Sequence, residues 1–255
     1  MARIFITGST EGLGKAAALA LLDDGHEVVL HARNASRAAG MGDVTDRAFG
    51  MVIGDLGTAE ETHDVANQVN AIGRMDVVIH NAGIYIDPER VATPEGHART
   101  LAVNVLAPYV LTAEIGRPAR LIYISSGMHR GGDASLRDVD WTTRGWSGVQ
   151  AYSDSKLFVA ALAFAVSRRW PDVRSNVVDP GWVPTRMGGS SAPDDLELGH
   201  TTQVWLAVSD ERDATCSGGY WYHRRRQAPA PAVSEVGFQD ALLEQLSRMT
   251  AVRLP

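Results

Sequence analysis

Tyr152 and Lys156 lie four residues apart in a segment whose apolar residues follow a helical period. Side chains at that spacing project from the same face of a helix. A phenol has an ordinary pKa of about 10, so it is a poor base near neutrality unless a positive charge favours its ionised form. The lysine ammonium can supply that charge, which makes the pair a candidate for proton transfer. The alternative is ordinary packing of the ring against the lysine methylene groups.

A glycine-rich turn is the second candidate. Residues 7–14 read Thr-Gly-Ser-Thr-Glu-Gly-Leu-Gly, directly after the first apolar run. Gly8, Gly12 and Gly14 let the backbone approach a pyrophosphate, whose charge is met by free amide groups and the positive end of the next helix. Three residues separate the first two glycines, unlike the GxGxxG fingerprint, and glycines also make ordinary strand-to-helix turns.

The elements that must position these residues alternate along the chain. Short apolar runs rich in β-branched residues are separated by segments of helical period, which is typical of a parallel sheet covered on both faces. The predicted strands are Arg3 to Thr7, Val28 to His31, Phe49 to Gly54, Asp76 to His80, Leu121 to Ser125, Val173 to Val178 and Tyr220 to Tyr222.

Several helix boundaries can also be predicted. Thr58 and Glu61 form a capping-box pattern, and Thr93-Pro94 predicts another helix start because proline suits the first helical position. Later helices are predicted at about Ala151 to Trp170, near Gly199 to Val208 and around Val236 to Leu246, the last either packed or partly loose.

A loop of about residues 182–200 is rich in glycine and serine and is a candidate mobile substrate loop. Five large side chains near these elements are candidates for an apolar substrate pocket, although such residues are more often plain core. They are Met128, Trp141, Trp146, Trp182 and Met187.

The composition is that of one globular domain: 45% of the 255 residues are hydrophobic and 21% charged. A net charge of −6 argues against nucleic acid as a partner, and the basic cluster Arg224 to Arg226 is expected to be a solvated loop. The single cysteine, Cys216, rules out an intramolecular disulfide, and the eight histidines lack metal-ligand spacing. With no apolar run of about 18 residues, we expect a cytoplasmic protein that does not enter a membrane.

Several motifs together resemble the short-chain dehydrogenase/reductase family. Besides the glycine turn, they are Asn81-Ala82-Gly83 after the fourth strand, Asn104 in a helix, Ser126 after the fifth strand, Tyr152 with Lys156, and Pro180-Gly181 with Thr185 after the sixth strand. The resemblance spans roughly residues 3–222. The segments IYISSGMHRGG, YSDSKLFVAALAF and DPGWVPT look most like the retinol dehydrogenase-like branch.

The resemblance implies an α/β fold, a doubly wound, Rossmann-type parallel sheet forming a single domain over residues 1–255. A nicotinamide cofactor would lie across the carboxyl ends of the strands. Asp55 would accept a bond from the adenine amino group, and Thr185 would hold the nicotinamide carboxamide. The residues implied to bind the cofactor are Gly8, Ser9, Gly12, Leu13, Gly14, Arg33, Asp55, Leu56, Asn81, Ala82, Gly83, Tyr152, Lys156, Pro180, Gly181, Val183 and Thr185.

The resemblance also implies an oxidoreductase that transfers a hydride between the nicotinamide and a small carbonyl or alcohol substrate. Tyr152 would transfer the proton, Lys156 would lower its pKa and bond the ribose, and Ser126 would hold the substrate oxygen. Asn104 would hold a water that links Lys156 to solvent. Taken singly, Ser126 could merely begin a turn and Asn104 could be a buried amide. Two alternatives stay open: a non-catalytic nicotinamide-binding sensor or scaffold, and a nucleotide-sugar epimerase or dehydratase.

The end of the second strand favours NADP over NAD, with NAD still possible. The position that carries an acidic residue in NAD-preferring sites is Ala32, and Arg33 follows it and could pair with a 2′-phosphate. Glu11 argues for NAD, but its carboxylate can rotate into water. Family members often pair through the helices that hold Asn104 and Tyr152, so a homo-oligomer is a further expectation.

Overall fold

One sheet of eight strands organises the structure, a computed structural model that describes all 255 residues. The strands are β1 (Arg3–Ile6), β2 (Glu27–Ala32), β3 (Gly50–Ile53), β4 (Val77–His80), β5 (Arg120–Ile124), β6 (Arg174–Asp179), β7 (Gly219–Tyr222) and β8 (Arg225–Gln227). They lie in the order β3-β2-β1-β4-β5-β6-β7-β8, with β8 antiparallel to β7 and every other pair parallel. The seven predicted strands are all present, and β8 is an addition.

Helices connect the strands and cover the sheet. They are α1 (Gly12–Asp23), α2 (Ala35–Ala39), α3 (Asp43–Arg47), α4 (Ala59–Ile72), α5 (Arg99–Leu101), α6 (Ala107–Glu114), α7 (Gly148–Arg169), α8 (Leu196–Val208), α9 (Pro231–Ser234) and α10 (Val236–Thr250). A π-helical turn at Ala102–Leu106 joins α5 to α6, and a 3₁₀ helix at Gly127–Gly131 follows β5.

Successive residues of a strand point to opposite faces of the sheet, and both faces are buried here. On β1, Phe5 packs into a core with α4, α6, α7 and α10, whereas Ile4 and Ile6 pack into a second core with α1 and α8. The prediction of a doubly wound parallel sheet is therefore confirmed. The strand order reverses between β1 and β4, where the carboxyl ends of these strands leave a crevice.

The helix start predicted at Thr93-Pro94 is wrong. Residues 93–96 form a β-turn, in which Gly96 N donates to Thr93 O at 2.9 Å and Gly96 has a φ of +90°. Proline suits the second position of such a turn as well as the first position of a helix. The helix begins only at Arg99.

The basic residues 224–226 belong to a hairpin rather than to an open loop. His223 and Arg224 make the two-residue turn between β7 and β8, with φ values of +46° and +59°. Two-residue hairpin turns require such positive φ values because they match the twist of the flanking strands. Arg225 and Arg226 are exposed on β8 at the edge of the sheet.

The C-terminal segment packs on α7. Leu242, Leu243 and Leu246 of α10 are buried in the same core as the inner residues of α7. Tyr109 of α6 also donates to Val252 O at 3.0 Å, so the chain end contacts α6. The tail helix is therefore packed rather than loose. No helix combines the length and the apolar composition that are needed to cross a membrane.

Candidate active site

The glycine turn between β1 and α1 packs tightly against the segment that follows β4. A Cβ on Gly8 would lie 2.9 Å from the Ala82 Cα, and one on Gly14 would lie 2.4 Å from Asn81 Nδ2. Asn81 Nδ2 in turn donates to Thr7 O at 2.9 Å and to Gly8 O at 3.2 Å. Asn81 thus joins the ends of β1 and β4 at the crevice.

The start of α1 is open to an anion. Gly12 has a φ of +56°, no side chain caps the first turn, and no acidic residue lies in that turn. The unpaired N–H groups and the positive end of the helix therefore suit a phosphate group. A Cβ on Gly12 would lie 3.5 Å from Thr185 Cγ2, which places the predicted nicotinamide contact across the cleft from the turn.

His31 of β2 supports the turn, a role that sequence reasoning missed. Its Nδ1 accepts a hydrogen bond from Gly8 N at 2.9 Å, so its Nε2 must donate to Gly54 O at 2.9 Å in the neutral ring. Burial lowers the pKa of His31 to about 4, which keeps the ring neutral. Ser9 Oγ accepts from His31 N at 2.8 Å. A single polar side chain inside the apolar run of β2 was the available signal.

Tyr152 and Lys156 project from one face of α7 into the cleft, as predicted. Lys156 Nζ lies 5.5 Å from the centre of the Tyr152 ring and donates to Ile124 O at 2.9 Å. Burial lowers the pKa of Lys156 to about 8, against the opposing charge of Asp179. The ammonium form therefore predominates at neutral pH but can lose its proton at little cost.

Tyr152 is held in its protonated form. Burial raises its pKa well above the ordinary value, a hydrogen bond with Ser126 partly opposes this, and the charge of Asp179 adds to it. Lys156 is not among the causes of this shift, and its lowering of the Tyr152 pKa together with the oxidised nicotinamide stays a prediction. A protonated phenol beside a serine hydroxyl can donate a proton to a bound oxygen atom.

Asn104 lies in the π-helical turn, behind the cleft wall rather than on it. Its Oδ1 accepts from Ile84 N at 2.9 Å, and its Nδ2 donates to Ile84 O and to Ser155 Oγ, both at 3.0 Å. Asn104 thus ties the segment after β4 to α7. A Cβ on Gly83 would lie 3.4 Å from both Asn104 Oδ1 and Lys156 Nζ. Its water-holding role stays a prediction.

A continuous cavity of about 1170 Å³ joins these groups. Of the predicted site residues, only Ser9 and Asn104 lie off its wall, and both support it through the contacts above. The residues on the wall are Gly8, Gly12, Leu13, Gly14, Arg33, Asp55, Leu56, Asn81, Ala82, Gly83, Ser126, Tyr152, Lys156, Pro180, Gly181, Val183 and Thr185. A dinucleotide cofactor fits the glycine turn, the uncapped start of α1 and the volume of this cavity.

The end of the cleft beside β2 carries a charged cluster. Glu11 Oε2 lies 2.7 Å from Arg37 Nη1 and 3.8 Å from Arg186 Nη1, so the carboxylate pairs with two arginines instead of rotating into water. Arg33 is exposed on the cavity wall and Arg37 lies beside it on the same wall. The cluster therefore holds three arginines and one half-exposed carboxylate that pairs with two of them.

The opposite end of the cleft is mostly apolar and aromatic. The Tyr85 ring stands edge-on to the Tyr152 ring at 4.8 Å, and the Tyr85 hydroxyl contacts Met128 Sδ at 3.8 Å. Trp182 and Met187 also line the cavity. Trp141 and Trp146, the other two pocket candidates, instead pack on each other away from the cavity, with ring centres 5.5 Å apart.

The chain is similar to several known proteins over most of its length. It is 39% identical to the short-chain dehydrogenase chry4 of Gibberella zeae, over 100% of this chain and 99% of that protein. It is 26% identical to human retinol dehydrogenase 13, over 99% of this chain and 85% of that protein. The solved blue fluorescent protein from a metagenomic library, in complex with NADPH, shares the fold. Its TM-score is 0.70 at 22% identity, over 87% of this chain and 95% of that chain.

A family model described as short chain dehydrogenase matches residues 2–196, which hold the glycine turn, Asn81, Ser126, Tyr152, Lys156 and Thr185. The match covers most of the chain, and the relative with 39% identity spans all of it. The chain belongs to the short-chain dehydrogenase family.

Proposed function

We propose that this NAD(P)-dependent oxidoreductase reduces a partly apolar ketone or aldehyde with NADPH, and that Tyr152 donates the proton. The observation that carries this proposal is the placement of Tyr152, Lys156 and Ser126 on one wall of the cleft that begins at the glycine turn, with Lys156 Nζ 5.5 Å from the centre of the Tyr152 ring. A proton donor within reach of the substrate oxygen is the protein's part in reducing a carbonyl.

Each group in the cleft has a separate role in this reaction. The nicotinamide, when bound, supplies the hydride. The hydroxyl groups of Ser126 and Tyr152 bind the carbonyl oxygen, and Tyr152 gives it a proton. The buried phenolate left behind is costly, and the ammonium of Lys156 offsets part of that cost because opposite charges attract strongly in a poorly solvated site.

The preference for NADPH rests on the charge at the end of β2. Ala32 presents no carboxylate there, and Arg33 lies exposed on the cleft wall where a 2′-phosphate would add negative charge. Because Glu11 is paired with Arg37 and Arg186, its repulsion of that phosphate is reduced. The NADPH held by the blue fluorescent protein agrees with this assignment.

The predicted loop of residues 182–200 ends earlier than expected, because α8 begins at Leu196, and residues 182–195 are proposed to be the substrate loop. Trp182, Val183 and Met187 of this segment line the cleft, and Gly189 has a φ of +77°. Asp194 Oδ2 accepts from Trp182 N at 2.6 Å, which draws the two ends of the loop together. A closed loop would shield the reacting carbonyl from water. The cytoplasmic location and the homo-oligomer stay predictions.

The test of the proposed function is a pair of substitutions in the catalytic group. Tyr152→Phe is expected to lower NADPH-dependent turnover of aldehydes and ketones by about 10² to 10⁴, because it removes only the proton donor. Its affinity for NADPH should stay near that of the wild type. Lys156→Ala should lower turnover and also weaken NADPH binding, because it removes a charged hydrogen-bond donor.

Tyr109→Phe is the matched control, since Tyr109 is buried on α6 and bonds Val252 O away from the cleft. It should leave turnover unchanged. Absorbance of NADPH gives the rates, and fluorescence titration gives the affinities. If Tyr152→Phe keeps more than a third of the wild-type rate, Tyr152 is not the proton donor.

A further inference from the structure

Asp179 is the last residue of β6, and its carboxylate lies on the wall of the cleft that holds Tyr152 and Lys156. It also lines a second cavity of about 680 Å³ behind the cleft. A Cβ on Gly127 would lie 3.3 Å from Asp179 Oδ2, so the carboxylate is adjacent to the residue that follows Ser126. It therefore lies within one residue of Ser126 along β5 and its following turn, on the same cleft wall.

The carboxylate of Asp179 has few partners. Oδ1 accepts from Gly181 N at 3.1 Å, and Oδ2 accepts from the Tyr220 hydroxyl at the long distance of 3.3 Å. None of the ion pairs within 4.0 Å involves Asp179. An ionised carboxylate has about four acceptor positions, so roughly half of its capacity stays free.

Asp179 is half-buried, and the charge of Lys156 acts on it only from beyond ion-pair distance. A carboxylate in such a place is stabilised by each hydrogen bond that it accepts. Asp87, another carboxylate of the cleft, differs in that it is paired with Arg99 at 2.6 Å. Asp179 thus keeps free acceptor positions on the cleft wall, and a bound substrate can donate to them.

We propose that Asp179 selects substrates that carry a hydrogen-bond donor on the atom next to the reacting carbonyl, as in α-hydroxy ketones. The proposal rests on the proposed reductase function. With the carbonyl oxygen on Ser126 and Tyr152, a hydroxyl on the neighbouring carbon faces the side where Asp179 meets Gly127. The charge of Asp179 acts on both Tyr152 and Lys156, which agrees with its position beside the reacting atoms.

The test compares two ketones of the same shape that differ in one group. α-Hydroxyacetophenone carries the donor, and propiophenone has a methyl group in its place. The wild type should show a kcat/KM at least tenfold higher for the hydroxy ketone, since a hydrogen bond to a charged acceptor is stronger than a neutral one. Asp179→Asn should lower that value about tenfold, mainly through KM, while the value for propiophenone changes less than threefold.

Tyr220→Phe is the control, because it removes the long bond to Asp179 and leaves the carboxylate in place. It should keep the wild-type preference. The inference is wrong if Asp179→Asn affects both ketones equally, or if Tyr220→Phe abolishes the preference. The wild type alone is a second test that needs no variant: equal use of the two ketones overturns the inference and leaves the reductase function standing. Reduction of neither ketone, nor of simple aldehydes, overturns both.

Discussion

Arg33 and Arg37 place two positive charges at the end of β2, and their surroundings differ. Arg37 Nη1 forms an ion pair with Glu11 Oε2 at 2.7 Å, whereas no carboxylate lies within 4.0 Å of the Arg33 guanidinium. A guanidinium that is free to move can take up a bidentate contact with a phosphate. Arg33 is therefore the residue on which discrimination between the two cofactors should depend most.

Arg33→Ala is expected to lower the ratio of kcat/KM for NADPH to that for NADH at least tenfold, because a charge-assisted contact to the 2′-phosphate is lost. Steady-state rates with each cofactor measure the ratio. Arg212→Ala, at an exposed position away from the cleft, should leave it unchanged. A wild type that prefers NADH, or a ratio that Arg33→Ala does not move, contradicts this assignment.

Residues that act through a contiguous motif could be predicted from the sequence, and residues that act through a tertiary contact could not. Tyr152 and Lys156 were singled out by their helical spacing together with the other motifs of the family, and the structure places both on α7. His31 and Asp179 were missed because their roles depend on Gly8, Gly54 and Gly127, which other segments supply. In both cases a polar residue at a strand end was visible, but its partners were not.

At the scale of elements, strands were easier to predict than helix starts. A central parallel strand is buried on both faces, so an apolar run such as that of β5 has few other interpretations. Thr93-Pro94 has two interpretations, a helix start and a β-turn, and the hydrogen bonds of residues 93–96 show that it is the β-turn. The π-helical turn around Asn104 has no sequence signature. The edge strand β8 was not predicted because its residues are charged and polar rather than apolar.

Helix α10 makes a prediction about stability that is separate from the chemistry. Leu242 is buried in the core that also contains the inner residues of α7. Leu242→Ala is expected to lower the free energy of unfolding by about 2 to 5 kcal/mol. The turnover of the folded fraction should not change, because α10 lies outside the cleft. Chemical denaturation and activity of the same sample provide both readings.

Glu244→Ala is the control on the same helix. Glu244 is exposed and pairs with Arg248 one turn later, so its loss should cost less than about 0.5 kcal/mol. Equal losses for the two variants would mean that α10 does not pack as described. Since α9 and α10 pack on α7, any partner that approaches the outer side of α7 must contact these two helices.

At the scale of the molecule, the sheet buries two histidines at the carboxyl ends of its strands. His31 bonds Gly8 N and Gly54 O, and His80 stacks on Tyr123 with ring centres 4.7 Å apart. Burial lowers the pKa of His31 to about 4 and that of His80 to about 3, from an ordinary value of 6.5. Both rings are neutral in the folded protein, and both gain a proton when the chain unfolds at mildly acidic pH.

The sign of the resulting pH dependence follows from the lowered pKa values. Above pH 6.5 the folded and unfolded states bind the same number of protons at these two rings, so their full contribution to stability is present. As the pH falls from 6.5 toward 4, the unfolded state takes up about two more protons, and stability should fall by on the order of 3 kcal/mol per histidine. His97 acts the other way, since its hydrogen bond to Asp140 raises its pKa, and its contribution is complete throughout this interval.

Denaturant unfolding at a series of pH values measures this slope directly. In His80→Gln the slope between pH 6.5 and 4 should decrease by about one proton, because one of the two buried rings is gone. The control Tyr109→Phe should keep the wild-type slope, because burial raises the pKa of that phenol and it stays protonated throughout this interval. A wild type whose stability is flat between pH 6.5 and 4 would show that the two rings are not buried in neutral form, and that the glycine turn is not held by His31 in the way described.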